Sequence, residues 1–202
     1  MFNALELKRI AAIAVSQSPE GVCSIEKIGE GAANRAFVIR FRDSFKMVAR
    51  VPYPATQPRQ LSVASEAATL AFLHSKGIPV PRLYGYSATA ENSAGTEYIF
   101  MEFSAGRQLS TVWSEMNAED RLSLVKSLVE VEAQLFSLRL PASGSLYFLR
   151  DLPTIHRKVA LDPHDANRPE SLYVGPSISL DLWYGRRAGL DVDRGPCKQK
   201  RS

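Results

Sequence analysis

The turn that decides the fold of this 202-residue chain reads Lys27-Ile28-Gly29-Glu30-Gly31-Ala32-Ala33-Asn34-Arg35. Strand-like runs lie on either side of it, over Ser24–Ile28 and Arg35–Phe41, and a third run, Phe45–Val51, follows after a short connection. Runs rich in β-branched and aromatic residues, separated by tight turns, are typical of hairpins. The sequence therefore predicts an antiparallel meander of three strands.

Helix and strand patterns continue outward from this meander. Gly77 stands where a glycine often ends a helix, and Asn117 stands where a side chain often caps one. The further predicted elements are helices near residues 3–15 and over Gln60–Lys76 and Met116–Leu140, with strands over Arg82–Ser87 and Glu97–Phe103. The predicted fold class is α+β: a five-stranded antiparallel sheet with a helix between its third and fourth strands, followed by a helical region.

The last third of the chain differs from the rest in composition and in hydrophobic pattern. Residues 141–202 contain 6 of the 12 prolines and 5 of the 12 glycines and show no long periodic run. We expect an irregular region there, ending in a basic tail at Lys198, Lys200 and Arg201. The expected organisation is a helix over 1–18, a sheet-containing lobe over 19–106, the start of a helical lobe over 107–140, and an irregular insertion and tail over 141–202.

The composition narrows the class of protein. With 45% hydrophobic and 23% charged residues, it is typical of a folded globular chain. The net charge of +4 is scattered rather than gathered into a stripe, so we expect no nucleic-acid partner. No apolar run approaches the ~20 residues needed to span a bilayer, so no membrane partner is expected either. Cys23 and Cys197 fit neither a disulfide framework nor a zinc site, which favours a reducing compartment.

Three landmarks coincide with this order of elements. The first is the glycine turn, whose glycines allow backbone amides to approach phosphate oxygens. The second is Arg50 on the third strand, followed by Glu66 in the next helix. The third is an apolar strand, Tyr98–Phe103, that breaks into Ser104-Ala105-Gly106. Together they resemble the aminoglycoside/choline phosphotransferase branch of the protein-kinase-like fold, and most closely the altered inheritance of mitochondria phosphotransferase-like group.

The resemblance runs from Phe2 to about Leu152. Later pieces look like family segments that precede the catalytic loop: Val174-Gly175-Pro176-Ser177, Trp183-Tyr184-Gly185-Arg186 and Arg194-Gly195-Pro196. The resemblance implies a kinase-like small lobe followed by an incomplete helical large lobe. We therefore expect a product truncated before the catalytic loop.

The resemblance also implies a phosphate site. Gly29, Gly31 and Asn34 would cover the phosphates, and Arg50 would stand where related kinases have a lysine, with Glu66 as its carboxylate partner. Arginine is permanently charged and forked, so it can pair with a carboxylate and a phosphate together. The alternatives stay open: the glycines can simply serve a hairpin turn, and Glu66 can be a solvated helix residue.

The strand that ends near residue 103 would hold the base. By resemblance, Met101 would be the gatekeeper, while the carbonyl of Glu102 and the amide of Ser104 would meet the adenine edge. Met101 can equally be an ordinary core residue. The expected cofactor is ATP, bound weakly.

Phosphoryl transfer needs an aspartate at the substrate hydroxyl and further ligands for Mg²⁺. In this family a His-x-Asp…Asn loop and a following acidic motif supply them. The nearest match is Pro163-His164-Asp165-Ala166-Asn167, in which His164 and Asp165 are adjacent and Asn167 follows too soon. No apolar strand is expected on either side of it. We interpret these as turn residues and predict no catalytic residue and no magnesium ligands.

The leading hypothesis is a family member that binds a nucleotide weakly without turnover. The alternatives are a non-enzymatic interaction module or a non-functional truncated product, and an active small-molecule kinase that uses Asp165. For the interaction module, uncovered apolar residues of the long helix, such as Val125, Val129 and Phe136, would meet a protein partner or a second copy. The expected location is intracellular, cytoplasmic or mitochondrial, with no clear presequence.

Overall fold

The computed structural model describes residues 2–198 and contains a sheet of five antiparallel strands. The strands are β1 (Val22–Glu30), β2 (Asn34–Phe41), β3 (Lys46–Pro52), β4 (Leu83–Ser87) and β5 (Tyr98–Glu102). Their order is β1-β2-β3-β5-β4, so the chain leaves β3, returns at the far edge as β4, and places β5 between them. The predicted α+β class and five-stranded sheet are confirmed.

One face of the sheet is covered by the first helix, α1 (Ala4–Ala14). The side chain of Asn3 caps it by accepting hydrogen bonds from the amides of Leu5 and Glu6 at 3.1 and 3.2 Å. Its apolar side packs on the sheet in a buried cluster that includes Leu7, Ala11, Phe41, Met47 and Phe100. The amphipathic pattern near residues 3–15 therefore corresponds to a core helix.

The opposite face is partly covered by α2 (Arg59–Ser75). Leu61 and Ala64 of this helix are buried against Ile99 and Met101 of β5. Gly77 follows the helix with a φ of 74°, a conformation that glycine adopts without strain. The predicted helix and its terminating glycine are both confirmed.

A single row of residues crosses the whole sheet on the α2 side. Directly opposed residues in antiparallel strands point to the same face, and the register aligns Gly29, Ala36, Arg50, Ile99 and Tyr86. Ile99 is buried, whereas a side-chain carbon added at Gly29 would meet no atom within 4 Å. The α2 side of the sheet thus has a covered half at β4 and β5 and an open half at β1.

Residues 141–198 are more regular than the sequence indicated. They contain β6 (Ala142–Ser143), β7 (Ser145–Phe148), β8 (Val159–Ala160), β9 (Leu172–Gly175) and β10 (Cys197–Lys198). A second sheet of order β7-β9-β8 packs along α2, and β6 pairs with β10. Tyr147 of β7 is fully buried and donates its hydroxyl to the carbonyl of Pro176 at 2.7 Å.

The interpretation of this segment as irregular is therefore wrong for its strands. They are two to four residues long, too short for a period to emerge, and they pair with partners far along the chain. Lys198, expected in the basic tail, pairs with Ala142. The rest of that predicted tail, residues 199–202, lies outside the described residues.

The described residues also contain three further α-helices: α3 (Leu109–Val112), α4 (Ala118–Ser137) and α5 (Leu180–Trp183). Asn117 caps α4 as predicted, accepting from the amide of Asp120 at 2.8 Å. α4 has no buried residue along its described length, and Val125, Val129 and Phe136 are 47%, 55% and 84% exposed. The expected uncovered apolar surface is confirmed. Among residues 2–198 no helix has the length and apolar character to cross a membrane.

Candidate functional site

An ion pair joins β3 to α2 at the centre of the candidate site. Nη1 of Arg50 donates to Oε1 of Glu66, and the two side chains are 39% and 31% exposed. The predicted pairing of these two residues is therefore confirmed. Within residues 2–198 Glu66 is the only ion-pair partner of Arg50, which leaves further N–H donors of the guanidinium available.

The glycine turn connects β1 to β2 beside this pair. The amide of Gly31 donates to the carbonyl of Asn34 at 2.9 Å. Neither Gly29 nor Gly31 has a left-handed φ, and a Cβ added at Gly31 would come no closer than 3.8 Å to another atom. Glycine is needed where φ is positive or where space is lacking. Neither condition holds, so the hairpin itself does not require glycine at these two positions.

The end of β5 is held by backbone pairing. Met101 is buried among residues of α2 and the second sheet, which makes it a core residue. The amide of Glu102 donates to the carbonyl of Arg82 at 2.9 Å, and the carboxylate of Glu102 accepts from the amide of Arg82 at 3.1 Å. Ser104 follows in a stretch without regular structure. The gatekeeper and adenine contacts of these residues stay predictions.

The fold places three of the predicted residues, Gly29, Arg50 and Met101, on one face of the sheet. Gly29 and Arg50 lie in the same row two strands apart, a separation of about 10 Å. Met101 lies on the same face as Ile99, one alternation further along β5. Gly29 therefore lies in the open half of this face and Met101 in its covered half, with the partly exposed Arg50 between them.

Two residues that the sequence did not single out hold the glycine turn. The carbonyl of Ala33 accepts from the amide of Tyr53 at 2.9 Å and from the hydroxyl of Thr56 at 2.7 Å. The hydroxyl of Tyr53 also donates to the carboxylate of Glu30. The only sequence signal for these contacts is that Tyr53 and Thr56 follow β3 in a proline-rich segment.

A second missed contact fixes the start of α2. Nε of Arg59 lies 2.8 Å from Oε1 of Glu97, whose side chain is 5% exposed. A buried carboxylate needs a partner, and Arg59 supplies it from the first position of the helix. This pair ties α2, and with it Glu66, to the start of β5.

A polar network joins β4 to the second sheet. The hydroxyl of Tyr86 donates to the carboxylate of Asp151 and accepts from Nη2 of Arg150 at 2.9 Å. Burial, aided by the hydrogen bond to Asp151, raises the pKa of Tyr86 well above its usual range. These residues line a cavity of about 530 Å³ that includes none of the eight predicted site residues.

Asp165 lies away from the candidate site. It is in a short 3₁₀ turn, Pro163–Asp165, where the amide of His164 donates to Asp162 at 2.8 Å. It lines a cavity with Ser75 at the carboxyl end of α2, nine residues from Glu66, or about 14 Å along the helix. The interpretation of His164 and Asp165 as turn residues is confirmed.

The surroundings of that turn differ from expectation. β8 precedes it and β9 follows it, so the expectation of no neighbouring strand is wrong. Across residues 2–198, no three His, Cys, Asp or Glu side chains are grouped so that they could hold a metal ion.

Comparison with known proteins matches residues 24–174 to the phosphotransferase enzyme family. A subtelomeric hrmA-associated cluster protein of Aspergillus fumigatus is 35% identical over 175 residues, which cover 86% of this chain and 33% of that protein. Altered inheritance of mitochondria protein 9, mitochondrial, of Saccharomyces cerevisiae is 29% identical over 177 residues, covering 80% of this chain and 28% of the relative. The Yarrowia lipolytica protein of the same name is 27% identical over 188 residues, which cover 87% of this chain and 32% of that protein. The chain spans about a third of the length of these curated relatives.

Proposed function

The chain belongs to the phosphotransferase enzyme family, and from this premise we propose that it binds a nucleotide of the ATP type without transferring its phosphoryl group. The observation that supports the proposal most directly is the Arg50–Glu66 ion pair, which lies on the same face of the sheet as Gly29. The pair is partly exposed, so a ligand can reach the guanidinium.

Arg50 is the residue proposed to meet the phosphates. One nitrogen of its guanidinium pairs with Glu66, which fixes the plane of the group. The remaining donors can pair with phosphate oxygens, a geometry that suits the planar fork of arginine. Glu66 thus acts by orienting the cation rather than by contacting the ligand.

Gly29, Gly31 and Asn34 are proposed to cover the phosphates. The chain's own conformation does not require glycine at 29 or 31, and a Cβ added at Gly29 would meet no atom within 4 Å. A backbone without side chains lets a bulky anion come close to the amide groups. ATP supplies the phosphates when it is bound, and these residues contribute the surface that receives them.

The base is proposed to lie toward the end of β5. There Met101 would be the gatekeeper, and the carbonyl of Glu102 and the amide of Ser104 would meet the adenine edge. Because Arg50 is the one cation among the residues proposed to contact the ligand, the expected binding is weak.

The absence of turnover is part of the proposal. Phosphoryl transfer needs an aspartate near the transferred group and side chains that hold Mg²⁺. Asp165 is the one aspartate of the chain in a His-Asp pair, and it lies at the far end of α2 from Glu66. Consumption of ATP that disappears in Asp165→Asn would contradict this part of the proposal and favour an active small-molecule kinase.

Isothermal titration with Mg-ATP tests nucleotide binding. We expect binding to the native chain and a loss of about tenfold or more in affinity for Arg50→Ala, since hydrogen bonds to charged groups contribute about 1.5–3 kcal/mol. Arg40→Ala is the matched control, because Arg40 is also a partly exposed arginine paired with a glutamate. It lies on β2, its side chain is 40% exposed, and its Nε is 3.6 Å from Oε1 of Glu26. No binding to the native chain, or equal binding to the Arg50 variant, would overturn the proposal.

A second candidate function is self-association through α4, the uncovered helix. Leu122, Val125, Val129 and Phe136 recur at spacings of three, four and seven residues, and each is exposed. Exposed apolar stripes of this kind mark interaction surfaces. We propose a second copy of the chain as the partner. Light scattering after size exclusion tests this, and a monomer at all concentrations would contradict it.

The proposed location is intracellular, either cytoplasmic or mitochondrial. The mitochondrial alternative is supported by the names of the Saccharomyces cerevisiae and Yarrowia lipolytica relatives, which are called mitochondrial.

A further inference from the structure

The tip of the glycine turn has little support of its own. Gly31, Ala32 and Ala33 are exposed, and one hydrogen bond, from the amide of Gly31 to the carbonyl of Asn34, closes the turn. Exposed loop tips with small residues are mobile unless other groups hold them. A phosphate site built on this turn therefore needs an external support.

The segment that leaves β3 provides that support. The carbonyl of Ala33 receives two hydrogen bonds, from the amide of Tyr53 and from Oγ1 of Thr56, and both come from this segment. The amide of Thr56 donates to the carbonyl of Tyr53 at 3.0 Å, so the two donors are fixed relative to each other. One carbonyl oxygen has two lone pairs, and both are used here.

The side chain of Tyr53 adds a second contact to the base of the turn. Its hydroxyl donates to the carboxylate of Glu30, which also pairs with Lys27. The guanidinium of Arg35 lies 5.1 Å from the centre of the Tyr53 ring and 5.4 Å from that of Phe2. These contacts join Tyr53 to both strands at the base of the turn, through Glu30 of β1 and Arg35 of β2.

We propose that Tyr53 and Thr56 are positioning residues that fix the glycine turn relative to Arg50. Tyr53 comes three residues after Arg50, and Pro52 and Pro54 restrict the backbone between β3 and Thr56. The same stretch of chain therefore presents the cation and holds the turn. A binding site must hold its groups within about 0.5 Å of the productive geometry, so this connection sets the geometry of the phosphate surface. This role of Tyr53 and Thr56 in ligand binding rests on the proposed nucleotide function.

Hydrogen exchange of the ligand-free protein tests the link directly. Thr56→Val keeps the shape of the side chain and removes the donor, and we expect about two- to tenfold faster amide exchange in the segment 31–34, the range that one lost hydrogen bond predicts. Thr56→Ser restores the hydroxyl and should restore native exchange. Thr111→Val is the matched control, since the Thr111 hydroxyl makes a similar 2.7 Å bond to the carbonyl of Gln108 in an exposed helix.

Titration with Mg-ATP supplies the second measurement. We expect Thr56→Val to lower affinity by about two- to tenfold with an unchanged melting temperature, and Thr56→Ser to recover it. Tyr53→Phe, which removes only the hydroxyl bond to Glu30, should weaken affinity in the same direction. Unchanged exchange in Thr56→Val, or faster exchange with native affinity, overturns the inference. If the native chain binds no ATP, the proposed function is contradicted instead. The exchange measurement still decides in that case whether Thr56 holds the turn.

Discussion

Arg50 on β3 and Glu66 in α2 lie 16 residues apart in the chain and form an ion pair that joins the sheet to the helix. Both side chains remain about a third exposed. Exposed ion pairs contribute only about 0–1 kcal/mol to folding, since water screens them. The pair therefore matters for the orientation of the guanidinium more than for the stability of the fold.

Glu66→Gln is expected to separate these two roles. The substitution keeps the shape of the side chain and removes its charge, so the free energy of unfolding should change by less than about 1 kcal/mol. Affinity for Mg-ATP should fall several-fold, because an uncharged amide orients Arg50 by a weaker hydrogen bond. Urea unfolding and calorimetric titration measure the two quantities, and a large loss of stability with native affinity would contradict this assignment.

Arg59→Ala, unlike Glu66→Gln, is expected to lower the stability of the fold. It leaves the carboxylate of Glu97 buried without its cation, and such a loss costs up to about 3–5 kcal/mol when both partners are buried. Because Arg59 is itself 32% exposed, we expect the free energy of unfolding to fall by about 2 kcal/mol. Arg9→Ala, which breaks the exposed Arg9–Glu6 pair, is the control and should change stability little. Equal urea midpoints for the two variants would show that Glu97 does not depend on Arg59.

Gly29→Ala tests whether the turn is built for a ligand. A methyl group there meets no atom of the chain, so folding stability should stay the same or rise by a few tenths of a kcal/mol. Affinity for Mg-ATP should drop, since the added carbon occupies the surface offered to phosphate. Unchanged affinity would favour the view that this glycine belongs only to the hairpin.

Gly144→Ala provides the contrasting case. A Cβ at this position would lie 2.3 Å from the carbonyl oxygen of Gly175 and 2.8 Å from Val174. Overpacking of this kind costs about 1–3 kcal/mol, so the melting temperature should fall. A variant as stable as the native chain would mean that the second sheet does not pack as described.

Alkaline pH is expected to weaken the fold through Tyr86. Its pKa in the folded protein is raised, chiefly by burial, above the value of about 10 in an unfolded chain. Its contribution to stability is therefore complete below about pH 10 and is lost as the pH rises above it, with a slope of at most about 1.4 kcal/mol per pH unit. Tyr86→Phe should show a shallower decline in urea unfolding above that pH. Tyr147, whose pKa burial also raises, should account for part of the remaining slope.

Much of the first lobe could be predicted from the sequence because its signals are local. Strands of five to nine residues and a 17-residue helix are long enough for a hydrophobic period to appear. Gly77 and Asn117 mark a helix end and a helix start by their own chemistry. Family resemblance predicts the Arg50–Glu66 pair, and the fold brings the two residues into contact.

The second sheet and the supports of the site could not be predicted in this way. Ser145 pairs with Gly175 thirty residues later, and Val159–Ala160 is a strand of two residues. The contact between Tyr86 and Asp151 joins residues 65 positions apart. No local pattern encodes such partners, because the residues that make contact are far apart in the chain.

The open half of the sheet has a practical consequence for protein engineering. The hydrophobic interior is assembled from α1, α2, the second sheet and inward-facing residues of the five-stranded sheet, whereas residues 29–34 are not among its members. A library randomised at the tip of this hairpin can therefore be expected to keep a folded scaffold while its surface chemistry is varied. The lobe would then present new recognition sequences much as an antibody framework presents its variable loops.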